Sequence, residues 1–290
     1  MKEIEAKCIL VPNKGPSSWF GIKYNFNVYR ACPHGCIYCD SRSECYQITD
    51  FNDIEAKINA PELLDKTLAG KRKKCVLGTG SMSDPYLPLE KERCLTQKCI
   101  EQVIKHKFGL HIVTKSSLIE RDLPLFQEFT DTHLSVAITI TSAFDAVSEK
   151  IEPYAPLSSR RFKTIETLSQ AGIFTGILMM PMLPFISDNK KNVLSIIQKA
   201  KDAGASYIFP WFSVTLRDRQ REYFYQKLDE LYPGLKRQYQ MRYKNNYHCD
   251  SPNASALYDF FYEMCDKYQI ISKMENLPWI NNPDYYLKKG

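Results

Sequence analysis

The chain has 290 residues, 44% of them apolar and 25% charged, and 39 Lys and Arg against 33 Asp and Glu give a formal net charge of +6. This is a globular composition, long enough to bury a core without staples, and too mildly basic to demand nucleic acid. The opening MKEIEAKCIL lacks the apolar stretch of a secretory leader, and no run of about 18 apolar residues offers a membrane span, so a cytoplasmic place with reduced thiols is expected.

Taken in chain order, apolar runs alternate with helical patterns. Strands are predicted at 24–29, 74–80, 109–115, 133–140, 172–180 and 206–212. They are rich in Val, Ile, Phe and Thr and mostly lack strict alternation, as strands buried on both faces do. Between them, helices are predicted from Pro61 to a Gly70 cap, from Leu89 to Gly109, from Ser158 or Ser159 to Gly172, and from Asp188 to Gly204; their Ser, Asp and Gly ends are boundary signals. Six β–α units in series predict an α/β fold with a partial parallel (β/α)6 barrel. One domain is expected over 1–290, with the barrel at about 20–215 and a Tyr- and Arg-rich C-terminal helical cap, without a strong strand, at about 216–290.

In such a barrel, chemistry sits just after the strand C-termini, here 30–45, 80–86, 115–122, 139–145, 180–187 and 211–219. The basic run GKRKKC at 70–75 precedes its strand and so belongs to the opposite face. Cys8, Cys75, Cys94, Cys99 and Cys265 have no ligand spacing and read as small core hydrophobes.

The first active-face loop, NVYRACPHGCIYCDSRSEC, places Cys32, Cys36 and Cys39 at the spacing C-x3-C-x2-C. On local grounds this reads as a zinc site with His34 or Cys45 as fourth ligand, as free thiols, or as an iron–sulfur cluster with one open iron. The wider text is more specific. CPHGCIYC, GTGSMSDPYLPLE, VTKSSLIERDLPLF, EPYAPLSSRRF and AGIFTGILMMPMLPF follow one another in the order of the radical S-adenosylmethionine (SAM) superfamily, and resemble its spore photoproduct lyase-like branch over residues 20–215.

The resemblance implies a barrel of the radical SAM type and a [4Fe–4S] cluster on Cys32, Cys36 and Cys39. It further implies that S-adenosylmethionine, cleaved by one electron, yields a 5′-deoxyadenosyl radical in a site that excludes water. An electron donor such as flavodoxin or ferredoxin would then be a partner. By motif, Tyr38 flanks the cofactor adenine, while Ser83 and Lys115 bind the cofactor, the Lys115 ammonium pairing with its carboxylate. Arg161 and, on strand four, Thr139 and Thr141 are further cofactor candidates.

Two positions depart from that branch's lesion-splitting lyase: Ser81 stands in place of a catalytic cysteine and Asp40 in place of a relay tyrosine. An alcohol O–H bond is too strong to replace a thiol as a hydrogen-atom donor, and a carboxylate cannot hold a phenoxyl radical, so lesion repair is not expected. Asp40 and Ser81 thus become the catalytic candidates for another substrate. Asp84, Glu44 and Glu120 near the mouth, Asn25 and Asn27 on the first strand, His34, and Trp211 as a stacking surface suit a small deazapurine-type base. Within the branch, the reaction that fits is C–N cleavage of queuine to preQ1. Arg217, Arg219 and Arg221 support an alternative, a radical lyase or repair enzyme acting on DNA or RNA. A third reading is a non-catalytic Fe–S or zinc protein that binds nucleic acid.

Overall fold

A computed structural model describes residues 1–15 and 19–280. Six parallel strands carry the fold: β1 (Ile22–Phe26), β2 (Val76–Thr79), β3 (Gly109–Thr114), β4 (Leu134–Thr139), β5 (Phe174–Met179) and β6 (Tyr207–Pro210). They are hydrogen-bonded in that order, and Val11–Pro12 pairs antiparallel on the outer edge of β1, making an open seven-stranded sheet. The arrangement is the expected partial barrel. All residues of β2 and β4 are buried, because the sheet is covered on one side by helices and filled on the other. The filling is aromatic: Phe20 stacks on His111 at 3.7 Å and meets Tyr207 and Phe209 edge-on at 5.4 Å. Trp279, near the end of the described chain, donates its indole N–H to the Phe20 carbonyl at 3.1 Å.

The outer helices are α1 (Ala60–Ala69), α2 (Leu95–Lys105), α3 (Ser158–Gln170) and α4 (Lys190–Asp202), each turning an apolar face to the sheet. Gly172 and Gly204 follow α3 and α4 in the left-handed conformation, as expected of C-terminal caps. Three boundaries differ from the sequence reading. The helix predicted from Leu89 to Gly109 breaks at Cys94, whose φ is +52°. The Glu90 carboxylate reaches forward to accept the backbone N–H groups of Thr96 and Gln97 at 3.0 and 3.2 Å, so it caps a new helix at Leu95. The α4 cap is Asn189, which accepts from Asn192 N at 3.0 Å, while Asp188 is hydrogen-bonded to Ser251 at 2.5 Å. The first strand bends after Phe26, and Tyr29–Arg30 joins a separate three-stranded sheet with Glu55–Lys57 and Lys2–Ile4.

Beyond the barrel lie α5 (Asp218–Leu231), α6 (Leu235–Tyr243) and α7 (Ala254–Tyr268). The expected helical cap is present up to residue 280, and residues 281–290 lie outside the described part. It also holds a short antiparallel pair, Ser213–Thr215 with His248–Asp250, which the sequence reading missed. Tyr239 and Tyr243 of the cap pack on each other and Phe224 on Tyr239 in a core shared with Cys36, Ile37 and Tyr38, with the exposed Phe185 ring against its edge. Of the cysteines read as core hydrophobes, Cys99 and Cys265 are buried, Cys75 and Cys94 half-buried and Cys8 exposed. Among the described residues no helix is long and apolar enough to cross a membrane.

Candidate active site

A cavity of about 230 Å³ opens at the C-terminal ends of the strands. All six segments expected there contribute. The cysteine loop brings Cys32, His34, Cys36, Tyr38, Cys39, Asp40 and Tyr46, the loop after β2 brings Ser81, Ser83 and Asp84, and Lys115, Thr139, Pro181 and Trp211 follow β3, β4, β5 and β6.

The cysteine loop is set by local geometry. Gly35 has φ +70°, and a Cβ there would lie 2.7 Å from the Tyr154 ring, so glycine is required on both counts. The segment after β4 braces the loop through Ile37 N to Ile151 O at 2.9 Å and Tyr154 N to His34 O at 3.1 Å. From the cap, the Gln220 side-chain amide donates to Tyr38 O at 3.0 Å. Gly80 ends β2 with φ +93°, where a Cβ would come within 1.9 Å of the Val113 carbonyl oxygen, so only glycine lets the Ser81–Asp84 loop lie against β3.

The three thiols share one wall of the cavity and none is in a disulfide. Burial pushes Cys36 up to about 12 and raises Cys32 as well, so the protein alone keeps these two protonated; a bound cation would make them thiolates. Among the described residues no group of three His, Cys, Asp or Glu is arranged to hold a metal ion. The supposed fourth zinc ligands are elsewhere engaged: His34 turns to Asp84 at 3.2 Å, and Cys45 is exposed and does not line the cavity. The donor set is therefore three sulfurs with a face open to the cavity. It fits a multi-iron cluster with one vacant position better than a closed tetrahedral zinc nest.

Beneath Tyr38 lies a buried charge network. The Tyr38 hydroxyl donates to Glu152, which pairs with Arg161 at 2.6 Å and accepts from Thr141 at 3.3 Å. Burial works against the charges of both Glu152 and Arg161, yet their mutual attraction keeps the carboxyl below and the guanidinium above its ordinary range. Arg161 is 1% exposed, and its other nitrogens donate to the Pro156 and Thr139 carbonyls at 2.7 and 3.0 Å. Arg161, expected as a cofactor contact, does not line the cavity, and neither does Thr141, which is buried against Glu152. Lys115 differs: its ammonium lines the cavity and lies 4.0 Å from Glu152, beyond hydrogen-bonding reach. Glu152 opens the EPYAPLSSRRF stretch that also holds Arg161, but no spacing in the sequence shows that Tyr38 and Lys115 fold onto it.

The acids at the mouth are already engaged. Asp84 accepts from Thr114 Oγ1, Lys115 N and Tyr86 N at 2.6, 2.8 and 2.9 Å. Burial raises its carboxyl, but the His34 contact and these donors overcome that and hold it down to about 2. Asp40 pairs with Arg217 and accepts from Tyr46 OH, both at 2.9 Å, so it clamps the cysteine loop to the cap. Arg160 grips Glu120 at 2.7 Å, while Glu44 is exposed; neither lines the cavity. Asn25 and Asn27 do not line it either: Asn25 faces Gly78 on β2, and the carbonyl of Asn27 accepts from Lys57 at 2.8 Å. Of the basic trio, Arg219 donates to Ile48 O at 3.4 Å, and Arg221 to Lys244 O at 2.6 Å and to Leu216 O and Asn246 O at 2.7 Å.

A six-stranded parallel half-barrel with a three-cysteine loop after its first strand defines a class, and sequence comparison agrees. The Radical SAM superfamily model matches residues 26–197, and the chain belongs to that superfamily, whose members use a [4Fe–4S] cluster and S-adenosylmethionine. An uncharacterized protein of Methanocaldococcus jannaschii is 30% identical over 79% of this chain and 84% of its own. An uncharacterized protein of Mycobacterium tuberculosis is 27% identical over 83% of this chain and 73% of its own. Among solved structures the fold is similar to that of spore photoproduct lyase, in a structure with AdoMet and a dinucleoside spore photoproduct bound. The TM-score is 0.66 at 14% identity, covering 92% of this chain and 78% of that one. A radical S-adenosylmethionine methyltransferase of Kitasatospora setae is similar at a TM-score of 0.55 and 9% identity, covering 89% and 56%.

Proposed function

We propose that this chain is a radical SAM lyase that acts on a small nitrogenous base, with queuine, cleaved at a C–N bond to preQ1, as the specific substrate. Cys32, Cys36 and Cys39 would hold the cluster, which, given one electron by a donor protein, would supply the reductive cleavage of S-adenosylmethionine and so the radical chemistry. Lys115 meets the cofactor carboxylate, the Tyr38 ring flanks its adenine, and Ser83 and Thr139 supply polar edges. Ser81 and Trp211 face the remaining space beside Tyr46 and offer a base one hydroxyl and two rings. Ser81 can bind a ring nitrogen but cannot donate a hydrogen atom. Since Asp40 is paired with Arg217 and the Asp84 oxygens are taken by Thr114, Tyr86 N and Lys115 N, such a base is read chiefly by stacking and hydrogen bonds.

The observation that carries the small-molecule reading over a polyanion is the fate of the three arginines after β6. Arg217 is bound to Asp40 and Arg221 to three backbone carbonyls, which leaves only Arg219 of that trio, held by one carbonyl at 3.4 Å, with donors to offer a phosphate. The test is anaerobic incubation of the reduced, reconstituted protein with queuine and S-adenosylmethionine. Queuine-dependent 5′-deoxyadenosine and preQ1 are expected. Formation of 5′-deoxyadenosine at the no-substrate rate, without preQ1, removes queuine; salt-sensitive binding to DNA or RNA with nucleic-acid-dependent cofactor cleavage replaces it with the nucleic-acid reading.

A further inference from the structure

We propose that Glu152 is a positioning residue that sets Lys115 and Tyr38 for the cofactor; the inference rests on the reading above, in which those two side chains meet it. Four elements converge on this one carboxylate: Tyr38 from the cysteine loop, Lys115 from the end of β3, Thr141 from beyond β4 and Arg161 from α3. Glu152 itself sits where the chain is hydrogen-bonded to the cysteine loop on either side, at Ile151 and Tyr154. Its place is therefore fixed relative to the thiols.

The bonding around Glu152 is unequal, and the inequality carries the argument. Tyr38, Thr141 and Arg161 occupy the carboxylate oxygens, and Arg161 is fully enclosed. Lys115 is left at 4.0 Å with its side chain 17% exposed, and it lies over the Tyr38 ring at 5.7 Å. At that distance the carboxylate still attracts the ammonium but takes none of its N–H groups. Two cations share the one Glu152 carboxylate, with Asp84 attracting Lys115 from the side, and Lys115, whose ammonium donates no hydrogen bond to Glu152, is the cation that lines the cavity. An anionic group entering there would accept the N–H groups that Glu152 does not. Tyr38 and Arg161 keep Glu152 from capturing Lys115 outright, and Glu152 keeps Lys115 from swinging out to solvent.

The test measures S-adenosylmethionine affinity by anaerobic equilibrium dialysis on reconstituted protein, alongside iron content and circular dichroism. Glu152→Gln paired with Arg161→Gln removes the buried ion pair without stranding either charge. It is expected to bind iron as wild type does and the cofactor at least tenfold more weakly. Tyr38→Phe deletes one hydroxyl, keeps the ring, and frees Glu152 to draw Lys115 closer; about threefold weaker binding is expected. Wild-type affinity in either folded variant overturns the positioning role, and Tyr38→Phe decides the matter alone where the double variant does not fold. Lys115→Met separates the two levels. Wild-type affinity there overturns the cofactor contact itself, whereas weakened binding there with unchanged binding in the other variants overturns only the part given to Glu152.

Discussion

Two fully buried glutamates, Glu90 and Glu152, each have an arginine and a tyrosine hydroxyl as partners and do different work. Glu90 accepts from Tyr29, from Arg121 at 3.0 Å and from two backbone N–H groups that open α2. Arg121 also serves Asp122 at 2.7 Å, so this cluster has two anions for one cation, and the surplus negative charge lies at a helix N-terminus, where the dipole stabilises it. Around Glu152 two cations share one carboxylate, and Lys115, the one it does not hydrogen-bond, lines the cavity. A cluster whose hydrogen bonds are all made inside the fold holds the scaffold, and a cation left without one at a cavity wall marks where a ligand of opposite sign belongs. This contrast divides the molecule into a site half and a scaffold half that respond differently to mutation.

The sharpest way to break that division is with cysteines. Cys36→Ala is expected to abolish iron retention and reduce cofactor cleavage to background, with the fold kept by circular dichroism. Cys99→Ala, in the core of α2, is expected to keep its iron and lose about 1 kcal/mol of stability. Retention of a full iron complement by Cys36→Ala would end the cluster assignment.

Glu90→Gln leaves Arg121 its two-point pair with Asp122 but weakens the Tyr29 and helix-cap hydrogen bonds, and is expected to cost about 1–2 kcal/mol in urea unfolding, with cofactor affinity per folded molecule unchanged. Lys115→Met is expected to do the converse. The loss of a charged hydrogen bond of about 1.5–3 kcal/mol weakens cofactor binding roughly tenfold to a hundredfold and leaves the unfolding midpoint within error. Weakened cofactor binding in Glu90→Gln would merge the two halves.

Acid sharpens the comparison further, because Asp84 joins the halves. Its carboxyl is held at about 2 in the fold against an ordinary 3.8. A depressed value stabilises the fold above the unfolded-state value, and that stability is lost as the pH falls from about 4 towards 2. The linked contribution is about 2 kcal/mol. Urea unfolding at pH 5 and pH 2 should show this loss in the wild type and a smaller one in Asp84→Asn. Equal losses in both would place the acid sensitivity in other carboxylates.

The scaffold was largely legible in the sequence, since hydrophobic runs and glycine caps are local signals; β2 to β6 lie within the stretches that predicted them. The misses share a cause. The break at Cys94 comes from the Glu90 side chain capping a helix that starts five residues later, which propensity does not record. Tyr38, Ser83, Lys115 and Thr139 reach the cavity because a motif or a strand end put them there. Glu152 and the Asp40–Arg217 clamp escaped notice because partners 114 and 177 residues away set their roles, and Tyr46 because only the folded loop brings its hydroxyl to Asp40. Single acids and arginines read as free ligands in a sequence; the fold pairs most of them with one another.

That pairing yields the smallest and most discriminating effect. Arg217 and Asp40 are each about one-third exposed, and a half-exposed ion pair is worth about 0.5–1 kcal/mol. Arg217→Gln should therefore lower stability by about that much and leave cofactor affinity and iron content alone, because the cysteine loop is also held by Gln220 and by the segment at 151–154. If Arg217 instead grips a phosphate when nucleic acid arrives, the same substitution would weaken binding uniformly across sequences and reduce the salt slope by about one. A flat salt response in both proteins keeps Arg217 in the clamp and the substrate small. A slope that drops by one would mean that Asp40 releases its arginine on binding, and the carboxylate at the mouth would then be free for the substrate after all.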